Sequence, residues 1–307
     1  MLQAATANAQ SCVFTNTGVD FGNVNLTVAG TKTATGTITA NCTGIPNRNI
    51  RVCANFNQGS GGAHASSNPR YMLQGVTRLN YNLYRSNGGN RVWGSYTWAP
   101  SPNPPRIVVN LNNSGTGSES RTIYGRIPSG QGALPTGTYQ SFFSGAHTQI
   151  DYGYTTSFNC SSTLSPRVQN VPFTVRVTNR SSCTVSTAAL DFGNQTNLST
   201  AKTAVNSVSV TCTGGTLYNI GLNNGSSGGT GPTTRLMRNA STAQAITYGI
   251  YRNNSHTLPW GNTIGSDTVS ATGTGLAQSF TGFGRIPVQT TPPALLYTDT
   301  VVVTVTY

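Results

Sequence analysis

Charge is what this sequence has least of. Only 8% of its 307 residues are charged, six of them acidic, and only Lys32 and Lys202 among the 18 basic residues are lysines. Catalysis has little to draw on. The acids are Asp20, Glu119, Asp151, Asp191, Asp267 and Asp299, and the histidines are His64, His147 and His256. Asp20 and Asp191 sit in matching Asp-Phe-Gly-Asn stretches, where an aspartate bonds turn amides. A Glu119/Asp151 pair has glycosidase-like composition, but no set of groups converges around it. No enzyme is therefore expected, and no cofactor. Helical periodicity is missing, as is any apolar run long enough for a membrane helix. Aromatic girdles that would mark a membrane barrel are missing too. The net charge of +12 permits an acidic partner, yet Arg51, Arg70, Arg78, Arg85, Arg91, Arg106, Arg121 and Arg126 are scattered singly. Without a basic stripe or stacking aromatics, no nucleic-acid partner is expected.

What is abundant is turn chemistry. Glycine numbers 35, and threonine, serine and asparagine recur throughout, which suits short strands joined by polar turns. "NQGSGGAHASSNP" and "NNGSSGGTGPTT" read as loops between strands. At the start, "MLQAATANAQ" has small residues suited to signal-peptidase cleavage without the basic and apolar regions of a whole signal. Residues 1–10 are read as a signal remnant or a shortened start, outside the fold.

The chain repeats itself. "SCVFTNTGVDFGNVN" returns as "SCTVSTAALDFGNQT", "NYNLYRSN" as "TYGIYRNN", "VWG" as "PWG" and "YGRIP" as "FGRIP", in one order. Two domains are predicted, residues 11–179 and 182–307, joined by the tight "NRSSC" connection. Cysteines follow the repeat: Cys12 and Cys42 correspond to Cys183 and Cys212, leaving Cys53 and Cys160 to copy one. The bridges Cys12–Cys42, Cys183–Cys212 and Cys53–Cys160 let both copies fold alike. An even count without metal-ligand spacing favours disulfides over a metal and implies an oxidising compartment.

Alternating segments such as "TGTITANC", "SVSVTC" and "NIRVCANF" predict antiparallel β-sandwiches. Cys53 is out of phase with Val52 and Ala54, so it is expected to face outward. In "NVPFTVRVTN", Val171, Phe173, Val175 and Val177 share one face and read as a closing strand of copy one. Copy two reaches Tyr307 on "VVVTVTY" without such a segment. Val301, Val303, Val305 and Tyr307 are therefore expected to form an open edge that accepts a strand from another chain.

The paired "SC…DFGN", the "Y.LYR…WG" stretch and "GRIP" resemble the spore coat protein U, or secreted pilin, domain family, twice over. The resemblance implies all-β fold: two tandem immunoglobulin-like, pilin-type sandwiches, the C-terminal one lacking its last strand. It also implies a tip adhesin of an archaic chaperone-usher pilus, with a complete N-terminal adhesin domain and an incomplete C-terminal pilin domain. Expected partners are a periplasmic pilus chaperone, an outer-membrane usher, the donor strand of an adjacent pilin subunit, and a host or abiotic surface. Secretion through the periplasm to the pilus tip, and a role in attachment and biofilm formation, are expected with it. Rod subunits of that family carry an alternating donor segment before the first cysteine, and "MLQAATANAQS" has no such alternation. The alternative is a free secreted lectin-like or coat structural protein.

Aromatics that repeat, Trp93 with Trp260, Tyr84 with Tyr251 and Tyr124 with Phe283, read as scaffold. "SYTWAPSPNPP" has no counterpart in copy two. Its Tyr96, Trp98, Ala99 and Pro100 are expected on a stiff, exposed loop that binds a surface. Phe142 and Phe143 of "SFFSG" are added as candidates, one of the two facing the core.

Overall fold

Alternating sequence becomes strand almost everywhere in the computed structural model, which describes residues 10–66, 68–99, 101–154, 159–162, 164, 167–169 and 171–307. The single helical turn among the described residues is Gly145–His147. Two compact units result, Met1–Gln131 with Gly137–Arg180, and Gly132–Thr136 with Ser181–Tyr307.

Twelve strands build the first unit: β1 (Ser11–Asn16), β2 (Val19–Val24), β3 (Lys32–Thr43), β4 (Asn49–Phe56), β5 (Arg70–Gln74), β6 (Thr77–Tyr84), β7 (Arg106–Asn110), β8 (Thr116–Ile127), β9 (Gly137–Phe143), β10 (Thr148–Tyr154), β11 (Arg167–Gln169) and β12 (Phe173–Asn179). One sheet has the order β1-β3-β8-β6-β5-β9-β12-β2 and the other β11-β10-β4-β7. β11 and β12 lie in turn along β10 and β9. β11 runs antiparallel to β10, and β12 runs antiparallel to β9 and parallel to β2.

Eight strands build the second unit: β13 (Cys183–Thr187), β14 (Lys202–Cys212), β15 (Leu217–Leu222), β16 (Arg235–Arg238), β17 (Ala245–Tyr251), β18 (Val269–Thr272), β19 (Ala277–Ile286) and β20 (Val303–Thr306). Their sheets are β13-β14-β19-β17-β16 and β18-β15-β20. Each unit is a pilin-type sandwich, but among the described residues the second has no counterpart of β11 or β12.

Shared pillars hold both cores. Trp93 and Trp260 are fully buried, and each indole N–H donates to a carbonyl of the facing strand, Ala54 O and Ile220 O, both at 2.9 Å. Arg70 and Arg235 are also fully buried. Arg70 donates to the carbonyls of Asn57, Phe56 and Trp93 (2.8, 2.8 and 2.7 Å) and to Asn82 Oδ1. Arg235 donates likewise to Asn223, Leu222, Trp260 and Pro232. A buried guanidinium without such acceptors would be prohibitive; with them it ties strand ends that lack ladder partners.

The three disulfides are Cys12–Cys42, Cys53–Cys160 and Cys183–Cys212, the pairing the repeat predicts. Cys12 faces Cys42 across β1–β3 and Cys183 faces Cys212 across β13–β14. Cys53 corrects one expectation: it is fully buried, because both faces of β4 are covered. Arg51, Cys53 and Asn55 share the second face, where Asn55 donates to Asp151 and accepts from the Tyr96 N–H.

Candidate functional site

Three shared rungs align the units. The pair Arg70↔Tyr81 on β5–β6 matches Arg235↔Tyr248 on β16–β17, and Leu73↔Gln140 matches the bridge Arg238↔Thr298. The indole contacts match Ala54 to Ile220. Phe143 then corresponds to Val301, and Tyr139 to Tyr297.

With that alignment, one part of the second unit differs in solvation. Val19, Met72, Leu79, Tyr139 and Phe143 are all buried in the first unit. Their counterparts Leu190, Met237, Ile246, Tyr297 and Val301 are only half-buried. These side chains surround the place of β12. There the second unit has a groove of about 560 Å³, walled by the 190–198 segment on one side and Thr291–Tyr297 on the other. In the first unit β12 occupies the equivalent place: Val177 pairs with Tyr139, and Phe173 lies further along at Phe143, stacked on it at 4.4 Å and tilted against Phe56 at 4.7 Å. Val175 and Val177 are fully buried beside it, and Val171 is buried just before the strand.

The 190–198 wall also explains itself locally. Asp191 Oδ1 accepts the Gly193 N–H at 2.7 Å, as Asp20 Oδ1 accepts that of Gly22 at 2.8 Å, and both glycines have positive φ. β2 is a strand in the first unit because β12 pairs with it; the equivalent stretch of the second unit has no ladder. At one rung the units differ in kind. Gly18 (φ 70°) lies so close to β12 that a Cβ would collide with the carbonyl oxygen of Thr174, and Ala189 stands at the equivalent position.

The C-terminal residues lie beside β15. Val303 and Val305 pair with Leu222 and Ile220 of β15 and pack half-buried against the core with Val301. β11 covers the equivalent outer edge of β10 through Ile150↔Val168, whereas no strand covers that edge of β20 among the described residues. Tyr307 departs from the expected face: it follows the end of β20 and is 58% exposed.

The surface candidates of the first unit divide. Tyr96 is half-buried; its hydroxyl donates to Asp151 Oδ2, and its N–H donates to Asn55 Oδ1 at 3.2 Å. Asp151 is fully buried and also accepts from Asn55 Nδ2 at 3.2 Å, whereas Glu119 is exposed on β8. Trp98 is half-buried, its ring 5.0 Å from the buried Arg70 guanidinium. The expectation of free loop aromatics is thus corrected: both rings are tied to their own sandwich, Tyr96 by Asp151 and Trp98 by Arg70. Ala99 is exposed, and Pro100 lies outside the described residues. Phe142 is 48% exposed, while Phe143 is core and is withdrawn as a contact residue. No group of three or more His, Cys, Asp or Glu suited to a metal occurs among the described residues.

No curated protein matches the chain. Among solved structures, the CsuC–CsuE chaperone–tip adhesion subunit pre-assembly complex from archaic chaperone-usher Csu pili of Acinetobacter baumannii matches with a TM-score of 0.52 and 15% identity, covering 97% of this chain and 100% of that chain. This is a likeness of fold. The CupB6 tip adhesin from Pseudomonas aeruginosa matches with a TM-score of 0.39 and 12% identity, covering 98% of this chain and 96% of that one. The Spore Coat Protein U domain matches residues 1–146 and again 169–304, and the chain belongs to that family.

Proposed function

We propose that the protein is the tip adhesin subunit of a chaperone-usher pilus, with the second unit joined to the fibre by a strand from another polypeptide. One observation carries this: five apolar positions that are buried in the first unit, which has β12, are half-buried in the second, and four of them, Leu190, Met237, Ile246 and Tyr297, line an open groove. A donor chain placed as β11 and β12 are placed would run antiparallel along 295–306. It would fill the groove with its first-unit-like apolar residues and pair with the free edge of β20. Burying four or five such side chains contributes roughly 1.5–3 kcal/mol each, comparable with the stability of a whole small domain. Ala189 keeps the incoming backbone from copying β12 beside Gly18, so its contact with that wall begins at Leu190. The fold shared with a subunit crystallised with its chaperone supports a periplasmic chaperone as the first donor. The usher and the adjacent pilin then follow in assembly, and the mature protein resides at the pilus tip.

The first unit, closed by its own β12, serves attachment and biofilm formation. Phe142 and Ala99 are its contact residues in this reading, while Tyr96 and Trp98 shape the loop from beneath. Apolar contact at about 25 cal/mol per Å² suits surfaces without specific chemistry. The test is expression in the periplasm with and without the cognate chaperone. Soluble protein that co-purifies with chaperone, and aggregates without it, is expected. Equal yield of soluble monomer in both would contradict the proposal.

A further inference from the structure

The groove of the second unit contains one charge that its template neutralises. In the first unit Arg176 lies opposite Asp20 on the parallel β12–β2 ladder and donates to Asp20 Oδ2 from Nε at 2.9 Å and Nη2 at 2.8 Å. Asp191 occupies the position of Asp20, lines the groove, and holds the same turn through Gly193. Among the described residues no cation reaches it. On the opposite wall, Gln140 faces Arg176 across β9–β12, and Thr298 is its counterpart. A side chain projecting outward from a strand seated between Thr298 and Asp191 therefore meets a carboxylate at the place where Arg176 meets one.

We propose that Asp191 selects the incoming strand by requiring a basic residue, best an arginine, at the outward position between the apolar side chains that replace Val175 and Val177. The proposal rests on the strand-accepting groove and adds which strand fits it. Arginine suits the site because its planar fork engages a carboxylate through two bonds. Its main effect is on register. A slip of one residue turns every apolar side chain outward, and it also removes the cation from Asp191 and brings an apolar group there. The template pair is well solvated, with side chains 61% and 49% exposed, so its contribution to affinity is modest. It acts more strongly by rejecting strands that place an acid at that position.

The test titrates the full chain with three labelled nonapeptides. One has the sequence Val171–Asn179, and the others carry Arg176→Gln or Arg176→Glu. Binding of the arginine peptide about two- to five-fold tighter than the glutamine peptide is expected, with the glutamate peptide weakest and the spread narrowing at high salt. The Asp191→Asn variant keeps the turn acceptor for Gly193. It should bind the glutamine peptide as the parent does and lose the preference for arginine. Tight but equal binding of the arginine and glutamine peptides overturns this inference and leaves the groove standing. Binding of none of the three overturns the groove itself and the selection with it.

Discussion

The two units share their pillars and differ in their closure. Trp93 and Trp260 make the same indole bond, and Arg70 and Arg235 bind the same carbonyls. Beside these matched elements, Phe143 and Phe56 of the first unit are matched by Val301 and Leu222, and the stacking partner Phe173 has no match among the described residues of the second. The first core was built around a strand it owns; the second keeps the same frame open. That contrast is the ground of the proposal that the second unit accepts a strand, and a single domain would not offer it.

The largest expected effect tests whether β12 closes the first unit. Phe173→Ala removes a ring stacked on Phe143 and should cost about 3–5 kcal/mol, read as a fall in the first unit's unfolding transition with the second unchanged. A first-unit transition that stays in place would show that β12 is not its closing strand. Next, Cys53→Ala with Cys160→Ala opens the bridge that only the first unit has, across a separation of 107 residues. A loss of about 2–4 kcal/mol is expected, again confined to that transition in denaturant melts.

Smaller effects sharpen the contrast at the surface. Trp98→Ala exposes the buried Arg70 guanidinium and should cost about 1 kcal/mol of first-unit stability, so its effect on attachment mixes folding with contact. Phe142→Ser is the cleaner probe: attachment to a hydrophobic surface should weaken while the melting temperature holds. Undiminished attachment by the folded variant would move the contact surface elsewhere. The smallest effect concerns pH. Hydrogen bonding from Arg176, then from the Gly22 N–H, holds the Asp20 carboxyl below its ordinary value of 3.8. Because the folded pKa is the lower one, the stabilisation is present above 3.8 and is lost as pH falls through the folded value. Asp20→Asn should remove that acid dependence at a cost below about 1 kcal/mol at neutral pH, measured as first-unit stability between pH 7 and pH 3.

Much of this contrast was legible in the sequence because it is written in periods and repeats. The duplicated cysteines predicted all three bridges, and the alternation of Val171, Phe173, Val175 and Val177 marked a strand whose inward face is buried. The site was legible only at its C-terminal end. Val301, Val303 and Val305 alternate, but Leu190, Met237 and Tyr297 belong to segments far apart in the chain that meet only in three dimensions. Arg70 and Arg235 gave no sign of burial, since satisfaction by backbone carbonyls leaves no partner residue to find. Cys53 does lie on the face opposite Val52 and Ala54, but alternation separates two faces and does not say that both are covered. Tyr96 and Trp98 read as free for a similar reason: their partners Asp151 and Arg70 lie on other strands.

The central claim is that the second unit accepts a strand where the first has β12. Calorimetry of the full chain, with and without an alternating apolar donor segment linked after Tyr307, tests it most directly. Two transitions are expected for the unextended chain, and the donor should raise the second unit's transition by about 10 °C or more, since each kcal/mol moves a domain of this size by roughly 4 °C. A second-unit transition that is equally high without the donor, in a monomeric protein, would contradict the account.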